Sequence, residues 1–193
     1  MRITGGVLRG RRIKAPGGAV TRPTADRVRE AMFSRIEALF EGGIDEACVL
    51  DLFAGSGALG AEALSRGASR ATFYERDRRA YVTLQENLEA LGLEDRATAI
   101  HSDPLTRLRS APPPGGPFSL LFLDPPYRIV KSEVTRAIMR LADAGALSPG
   151  AMVIWEHASA DEPAWPAASF EGLGSRRYGD TTVSMARYKR GGR

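Results

Sequence analysis

The 193-residue sequence predicts an α/β fold built on an open, mostly parallel sheet with helices on both faces. From residue 47 onward, apolar runs of strand length alternate with amphipathic segments of helical length, which is the pattern of successive βα units. Near the end of the chain, two strand-like runs meet at Gly179 and Asp180, as in a hairpin turn. We therefore expect seven strands, with the last two forming an antiparallel hairpin at one end of the sheet.

The N-terminal part of the chain precedes this alternation. Residues 1–20 are basic, rich in glycine and too poor in apolar residues for a core, so they predict a β-hairpin or a loosely ordered arm. Pro23 bars helix before it, and Thr24 suits the N-cap of a first helix. The apolar face of that helix would consist of Val28, Met32, Ile36, Leu39 and Phe40. We expect an arm over residues 1–20 and one compact domain over residues 21–193.

Glycines and prolines divide the alternating region into its elements. The expected strands span residues 47–53, 70–75, 97–101, 118–123, 151–156, 168–178 and 181–189. The expected helices span residues 58–66, 77–91, 104–110 and 131–143. The run 118–123 is almost wholly apolar, as expected of a central parallel strand. The helix over 77–91 would take its apolar face from Val82, Leu84, Leu88 and Leu91.

The composition, with 43% hydrophobic and 26% charged residues, is that of an ordinary globular protein. No apolar stretch approaches the ~20 residues that span a bilayer, and no signal peptide is visible. Cys48, the only cysteine, cannot form an internal disulfide. His101 and His157 form no metal-binding pattern with it. We therefore expect a monomeric cytoplasmic protein that binds neither a metal nor a membrane.

Positive charge is concentrated at the two ends of the chain. Residues 1–40 hold nine Lys and Arg against three acids, and residues 175–193 hold six against one. Residues 41–174 hold twelve against nineteen. Clustered arginine suits contacts with phosphate, because its planar group can pair with two oxygens. A solvated basic surface is the alternative interpretation.

The segment 51–60, with the sequence DLFAGSGALG, joins a predicted buried strand to a helix through a glycine turn. Gly55 and Gly57 let the backbone turn sharply and approach a ligand, and the helix directs free N–H groups at the same point. The spacing also satisfies the dinucleotide fingerprint, so NAD binding is an alternative. Asp51 favours a cationic amino or sulfonium group, because its negative charge would repel a pyrophosphate.

Other predicted strands end in acidic residues at the edge where such sheets bind ligands. Glu75 ends the second strand and can accept hydrogen bonds from both hydroxyls of a ribose. Asp103 follows the third strand and has two interpretations. It could accept from an adenine amino group, or it could cap the helix that starts at Pro104.

The fourth predicted strand ends in the sequence DPPY, residues 124–127. Together with residues 51–57, this motif resembles the S-adenosylmethionine-dependent amino-methyltransferases. The resemblance implies a Rossmann-like class I methyltransferase fold and S-adenosylmethionine as cofactor. The implied cofactor-binding residues are Asp51, Phe53, Gly55, Gly57, Glu75 and Asp103.

The DPPY motif suits methylation of a ring-conjugated amine. Such an amine is a poor nucleophile, because its lone pair is delocalised into the ring. The Asp124 carboxylate and the Pro125 carbonyl could orient the amine and draw its protons, and consecutive prolines would hold both acceptors rigidly. The ring of Tyr127 offers a face on which the base can stack. In isolation, the motif could also be a plain turn.

Four further segments narrow the range of possible substrates. They are residues 3–11 (ITGGVLRGR), 22–30 (RPTADRVRE), 62–66 (EALSR) and 178–183 (YGDTTV). The first three closely resemble the bacterial small-subunit ribosomal RNA guanine-N2-methyltransferases of the RsmD family, and the fourth is compatible with that family. The resemblance spans nearly the whole chain. It implies methylation of the exocyclic N2 amine of one guanine in 16S rRNA, presented by an assembling small subunit. The implied RNA-contacting residues are Arg9, Arg11, Arg22, Thr24, Asp26 and Arg29.

Other functions stay open from the sequence. A DNA adenine-N6-methyltransferase would share the DPPY motif, although the chain lacks an evident target-recognition domain. A non-catalytic nucleic-acid-binding protein would not need the intact Asp51, Glu75 and Asp124. An NAD-dependent oxidoreductase would need an acid or base for hydride transfer, and no histidine in the sequence suits that role.

Overall fold

The computed structural model describes residues 1–15, 23–41, 43–126, 128–158 and 163–189, with only the backbone of residues 23–25. The strands are β1 (Cys48–Asp51), β2 (Arg70–Glu75), β3 (Ala97–His101), β4 (Phe118–Leu123), β5 (Leu147–Ala158), β6 (Phe170–Tyr178) and β7 (Thr181–Tyr188). The α-helices are α1 (Pro23–Leu39), α2 (Ala58–Ser65), α3 (Arg78–Leu91), α4 (Pro104–Arg107) and α5 (Lys131–Asp143). A short 3₁₀ helix covers Glu94–Arg96. None of the helices in the described ranges is long and apolar enough to cross a bilayer.

The strands form one seven-stranded sheet in the order β3-β2-β1-β4-β5-β7-β6. Strands β1 to β5 are parallel, whereas β7 runs antiparallel to both β5 and β6. The predicted fold class, including the antiparallel terminal hairpin, is confirmed. The chain order of the strands reverses between β1 and β4, and ligands bind beyond the carboxyl ends of the strands at such a point.

Helices cover both faces of the sheet and bury two apolar layers. On one face, Phe33 of α1 packs against Phe122 of β4, with 5.6 Å between ring centroids. On the other face, Ile138 of α5 belongs to the same buried cluster as Trp155 of β5. Each such side chain, when fully buried, contributes about 1.5–3 kcal/mol to folding. The central strands therefore form a rigid support for the polar residues at their ends.

Helix α3 illustrates how local sequence sets an element's limits. The Asp77 carboxylate accepts hydrogen bonds from the N–H groups of Arg79 and Ala80, both at 2.9 Å, and so caps the helix. Gly92 ends it in the left-handed conformation, with φ of 68°. The prediction that Val82 belongs to the apolar face is wrong, because Val82 is 39% exposed. The buried face instead includes Ala80 and Asn87.

Residues 1–15 form a hairpin that packs on the domain. Arg2 and Arg12 pair as an isolated antiparallel bridge. Ile3 and Ile13 are both buried within the apolar cluster that also contains residues of α1, α2 and α3. Of the two interpretations that the sequence left open for the described part of the arm, the hairpin is the one observed.

Helix α1 begins at Pro23, so Thr24 lies within its first turn and the prediction of Thr24 as N-cap is wrong. Proline suits the first helical position, because its fixed φ matches the helix and its missing N–H has no partner there to lose. Residues 16–22, which include the predicted RNA contact Arg22, lie outside the described residues.

Several predicted boundaries shift where tertiary pairing overrides local sequence. Strand β5 starts at Leu147 and reaches Ala158, whereas the sequence predicted only residues 151–156. Leu147 pairs with Phe118 across an irregular stretch of the ladder, and Ala158 pairs with Thr181 of β7. The neighbouring strands thus extend β5 through the turn-like residues 148–150.

Candidate active site

Two adjoining cavities, of about 400 and 450 Å³, lie beyond the carboxyl ends of β1, β2, β4 and β5. Both are lined by Phe53, Gly55, Asp124 and Glu156. The first extends towards Glu75, and the second extends towards α1 and the β6–β7 turn. Three of the strand-end acids that the sequence singled out, Asp51, Glu75 and Asp124, therefore meet the glycine turn around one concave site.

A larger cavity, of about 1010 Å³, lies between the N-terminal hairpin and α1. Its lining includes Arg2, Arg9, Arg12 and Arg27, but no residue from the end of a sheet strand. Since it contains none of the strand-end carboxylates, we assign the chemistry to the two smaller cavities. Its arginine-rich wall suits contact with a polyanion.

The glycine turn between β1 and α2 is shaped for close approach of a ligand. Gly55 has a φ of 54°, and a Cβ atom added there would have no heavy atom within 4 Å. Gly57, at the N-cap of α2 with a φ of 80°, is constrained by packing, because its Cβ would lie 2.3 Å from the Leu84 side chain. Gly55 thus leaves space in front of the turn, while Gly57 lets α3 pack behind it.

Asp51 is a buried carboxylate with one unsatisfied oxygen. Its exposed fraction is 1%. Its Oδ2 accepts a hydrogen bond from the Gly60 N–H at 3.3 Å, and its Oδ1 has no partner among the described residues. Burial, together with the charges of Asp124 and Glu75, raises the pKa of Asp51 to about 7, against the lowering effect of the Gly60 and Phe53 N–H groups. A cationic donor from a ligand would satisfy this oxygen and favour the ionised form.

Glu75 connects the end of β2 to the glycine turn. Its Oε2 accepts from the Gly55 N–H at 2.8 Å, and its Oε1 accepts from the Asp77 N–H at 2.6 Å. These bonds hold the carboxylate at the wall of the first cavity, which it lines. A carboxylate can accept about four hydrogen bonds in all, so each oxygen keeps capacity for a ligand hydroxyl.

Asp103 caps helix α4, which is one of its two predicted interpretations. Its Oδ1 accepts from the N–H groups of Leu105 and Thr106 at 2.9 and 3.4 Å. Its Oδ2 lies 3.8 Å from Nη1 of Arg76. Arg76 and the neighbouring Pro104 line the first cavity. The contact of Asp103 with an adenine stays a prediction.

The Asp124-Pro125-Pro126 segment leaves the end of β4 and lines the first cavity. Asp124 is exposed at the cavities. The protein atoms packed around its carboxyl still desolvate it enough to raise its pKa to about 6. The Ile129 N–H donates to the Pro126 carbonyl at 2.9 Å and closes a turn after the prolines. Tyr127 lies outside the described residues.

Sequence reasoning missed Glu156, which ends the cavity-facing part of β5 and lines both cavities. Burial and the charge of Asp124 raise its pKa to about 8. The rule that ligands bind at strand ends applied equally to Glu156, because the predicted fifth strand ended there. Sequence reasoning also did not assign Tyr178 and Thr181 to the site. Both lie in the β6–β7 hairpin and line the second cavity.

Arg29, a predicted RNA contact, is held by ion pairs within the protein. Arg29 is only 5% exposed. Its Nε lies 3.3 Å from Oε2 of Glu62, its Nη2 lies 2.9 Å from Oδ1 of Asp26, and Nη2 also donates to the Arg2 carbonyl. Its charge is thus compensated inside the protein, and it helps to fix the N-terminal hairpin. Arg29 also lines the second cavity, so its contact with RNA stays a prediction.

The other predicted RNA residues have different surroundings. Arg9 lines the large arginine-rich cavity, and exposed Arg11 donates to the Ala90 carbonyl near the end of α3. Asp26 lines the same cavity while pairing with Arg29. The side chain of Thr24 lies outside what the structure describes. The RNA contacts of Arg9, Arg11 and Asp26 stay predictions.

Comparison with known proteins identifies the family. The family model described as "Conserved hypothetical protein 95" matches residues 1–187. The chain belongs to this family. It is 42% identical over 143 residues to "Putative rRNA methyltransferase YlbH" of Bacillus subtilis, with 74% of each chain covered. It is 39% identical over 156 residues to "Ribosomal RNA small subunit methyltransferase D" of Escherichia coli K12, covering 81% of this chain and 74% of that one.

A solved methyltransferase structure has the same architecture as this chain. The structure has a TM-score of 0.82 against "Putative methyltransferase yhhF" from Escherichia coli, with 32% identity and 98% of both chains covered. The predicted RsmD-family resemblance, methyltransferase fold and enzyme class are confirmed by these matches. The assignments of individual site residues depend on the geometry described above.

Proposed function

We propose that the protein transfers a methyl group from S-adenosylmethionine to the exocyclic N2 amine of a guanine in small-subunit ribosomal RNA. The observation that carries the proposal is the convergence of Asp51, Glu75 and Asp124 with the Gly55 turn around adjoining cavities. The membership of the family and the rRNA methyltransferase relatives support the same reaction and substrate.

The residues fit S-adenosylmethionine in three respects. The unsatisfied, buried Oδ1 of Asp51 suits the ammonium group of its methionine part. The Gly55 turn leaves the space that a Cβ would occupy, and Glu75 beside it suits the ribose hydroxyls. When bound, S-adenosylmethionine supplies an electrophilic methyl group on a sulfonium.

Asp124 and Pro125 act on the amine that accepts the methyl group. The Asp124 carboxylate and the Pro125 carbonyl accept the two N–H bonds of the N2 amine, which turns its lone pair towards the methyl donor. Because the proline pair restricts the backbone, the acceptors need little reorganisation as positive charge develops on the nitrogen. Asp124 then takes the proton that the methylated amine releases. Attack itself is assisted mainly by positioning.

The proposed macromolecular substrate is RNA within an assembling small subunit. The target base must leave its stack to enter a cavity at the strand ends. The arginine-rich cavity wall formed by Arg2, Arg9, Arg12 and Arg27 suits the flanking phosphates. We propose that the enzyme acts as a monomer. A ribosomal substrate and the unpaired Cys48 suit action in the cytoplasm.

A transfer assay with three polymers tests the proposal. Methyl-labelled S-adenosylmethionine would be incubated with the protein and unmodified small subunits, naked small-subunit rRNA or DNA. We expect label in the rRNA of the subunits. Label in DNA alone would replace the proposal with the DNA adenine-N6 alternative. Binding of S-adenosylmethionine without transfer to any of the three would contradict the proposed substrate.

Substitution of Glu75 should weaken binding of the cofactor. Glu75→Ala removes an acceptor for the ribose hydroxyls and frees the Gly55 N–H that Glu75 holds. Hydrogen bonds to charged groups are worth about 1.5–3 kcal/mol each, so we expect the Kd for S-adenosylmethionine to rise roughly tenfold to a hundredfold. Isothermal titration calorimetry measures this change. Glu89→Ala, an exposed change on α3, is the matched control and should leave the Kd unaltered.

The affinity for S-adenosylmethionine should depend on pH through Asp51. Burial and the charges of Asp124 and Glu75 raise its pKa in the free protein to about 7, although the Gly60 N–H opposes the shift. Below that pH, cofactor binding must expel the Asp51 proton, so affinity rises with pH. We expect the ratio of wild-type to Asp51→Asn affinity to increase several-fold between about pH 5.5 and about pH 7.5. Parallel affinity curves for the two proteins would contradict this role of Asp51.

The same pKa gives the opposite trend for the stability of the free protein. Because the folded state holds the Asp51 proton more tightly than the unfolded state, its stabilising contribution is complete below the ordinary pKa of 3.8. That contribution is lost as the pH rises through about 7. The cofactor should offset this loss at neutral pH, which melting curves with and without S-adenosylmethionine would detect.

A further inference from the structure

Two acidic side chains occupy neighbouring positions at the ends of β4 and β5. The strands are parallel neighbours, and Leu123 lies opposite Trp155. The residues that follow, Asp124 and Glu156, therefore stand side by side at the next register position, where paired residues share a face of the sheet. Both line each of the two cavities. Of these two acids, the proposed reaction uses only Asp124, so Glu156 is available for another contact with the base.

The acidic side chains of the site indicate that a ligand in contact with Glu156 must offer hydrogen-bond donors. Asp124 acts on Glu156 and, with burial, raises the pKa of the Glu156 carboxyl to about 8. Two neighbouring carboxylates in a concave site resist ionisation together unless donors or positive charge face them. Asp51, at the end of β1, is a third acid that lines the second cavity. A ligand edge with several adjacent N–H groups would satisfy this arrangement.

The base-pairing edges of guanine and adenine differ in the number of adjacent N–H donors. Guanine presents its N1–H directly beside its N2 amine, so the edge offers adjacent donors. Adenine presents its N6 amine beside an unprotonated N1, which is an acceptor. Enzymes that take a base out of its stack identify it by hydrogen bonds to this edge. A carboxylate facing the adenine N1 would leave two acceptors opposed, which is costly in a desolvated site.

We propose that Glu156 accepts the N1–H of the target guanine while Asp124 accepts from its N2 amine, which makes Glu156 a determinant of guanine specificity. This assignment rests on the proposed function and adds the means by which the site selects its base. A site built to hydrogen-bond a substrate group discriminates strongly against an analogue that lacks the group, because the protein acceptor is then left unpaired.

An RNA with 2-aminopurine at the target position tests the assignment. This base keeps the N2 amine but has an unprotonated N1. Once the methylated guanine has been mapped, small subunits would be reconstituted from ligated rRNA carrying either guanine or 2-aminopurine there. The assay is run above about pH 8, where Glu156 is ionised and can only accept hydrogen bonds. For the wild type we expect kcat/KM under these conditions to be roughly a hundredfold higher for guanine. Comparable rates on the two bases would overturn the assignment without any variant.

The Glu156→Gln variant makes the test specific. Its amide oxygen can still accept the guanine N1–H, and its NH₂ group can donate to the N1 of 2-aminopurine. We expect the preference for guanine to fall at least about tenfold, with unchanged affinity for S-adenosylmethionine. Glu156→Asp, which keeps a carboxylate, should be slower but retain the preference. Equal losses on both bases in Glu156→Gln would overturn the assignment.

A control separates this contact from general effects on the fold. Glu94→Gln makes the same chemical change at an exposed residue of the 3₁₀ helix before β3, which is an edge strand of the sheet. It should keep both the wild-type rate and the wild-type preference. The guanine-containing subunits also test the proposed function by themselves. If the wild type methylates no guanine in them, the proposed function is overturned, whatever the result with 2-aminopurine.

Discussion

Replacement of Asp124 by alanine should abolish most turnover while preserving cofactor binding. Asp124 leaves the end of β4, lines both cavities and is the side-chain acceptor proposed for the amine. Loss of one preorganised group that acts on developing charge lowers kcat by about a hundredfold to a thousandfold. We expect Asp124→Ala to fall in this range in a single-turnover methyl-transfer assay. Its Kd for S-adenosylmethionine should stay within about threefold of the wild-type value, because the loss concerns the transition state.

Asp124→Asn separates orientation of the amine from removal of its proton. The amide oxygen still accepts one N–H bond, so this variant should retain more activity than Asp124→Ala. Asp95→Ala, an exposed change in the 3₁₀ helix before β3, is the control and should behave as the wild type. Full turnover by Asp124→Ala would show that the DPPY segment does not carry the reaction.

Removal of the Glu62 carboxylate should strongly destabilise the fold. Glu62, in α2, is completely buried. Its oxygens accept from the Thr4 N–H and Oγ at 2.8 and 2.7 Å, and they pair with Arg29 at 3.3 Å and Arg66 at 3.0 Å. Breaking a buried ion pair costs about 3–5 kcal/mol, because the remaining charge stays buried without its partner. We expect Glu62→Ala to lower the melting temperature by roughly 10 °C.

Glu37→Ala provides a matched control for this prediction. Glu37 pairs with the same Arg66 at 2.8 Å, but its side chain is 48% exposed. Exposed ion pairs contribute about 0–1 kcal/mol, so the melting temperature should change by only a few degrees. Thermal unfolding of both variants, followed by circular dichroism, measures the difference. Equal destabilisation by the two substitutions would contradict the importance of burial at Glu62.

Much of the fold and part of the site could be predicted from local sequence. Alternating apolar runs located the strands, since a buried parallel strand needs an apolar run between turns. The principle that ligands bind at the carboxyl ends of strands predicts from the sequence alone that Asp51, Glu75 and Asp124 share one edge of the sheet. The structure brings these three around the adjoining cavities.

The remaining features depend on partners distant in the chain. Arg29 is 33 residues from Glu62, and its burial follows from the docking of the N-terminal hairpin against α1 and α2. Local sequence could not distinguish such an arginine from one at an RNA-binding surface. Glu156 lies beside Asp124 because of the register between β4 and β5, which local sequence does not determine. The exposure of Val82 likewise depends on how α3 sits on the sheet.

Identification of the methylated nucleoside tests the central claim most directly. Unmodified small subunits would be labelled by the wild type and by Asp124→Ala, digested to nucleosides and analysed by chromatography with mass spectrometry. The account predicts N2-methylguanosine as the product of the wild type and its near absence with Asp124→Ala. Recovery of the label in N6-methyladenosine, or equal N2-methylguanosine from both proteins, would contradict it.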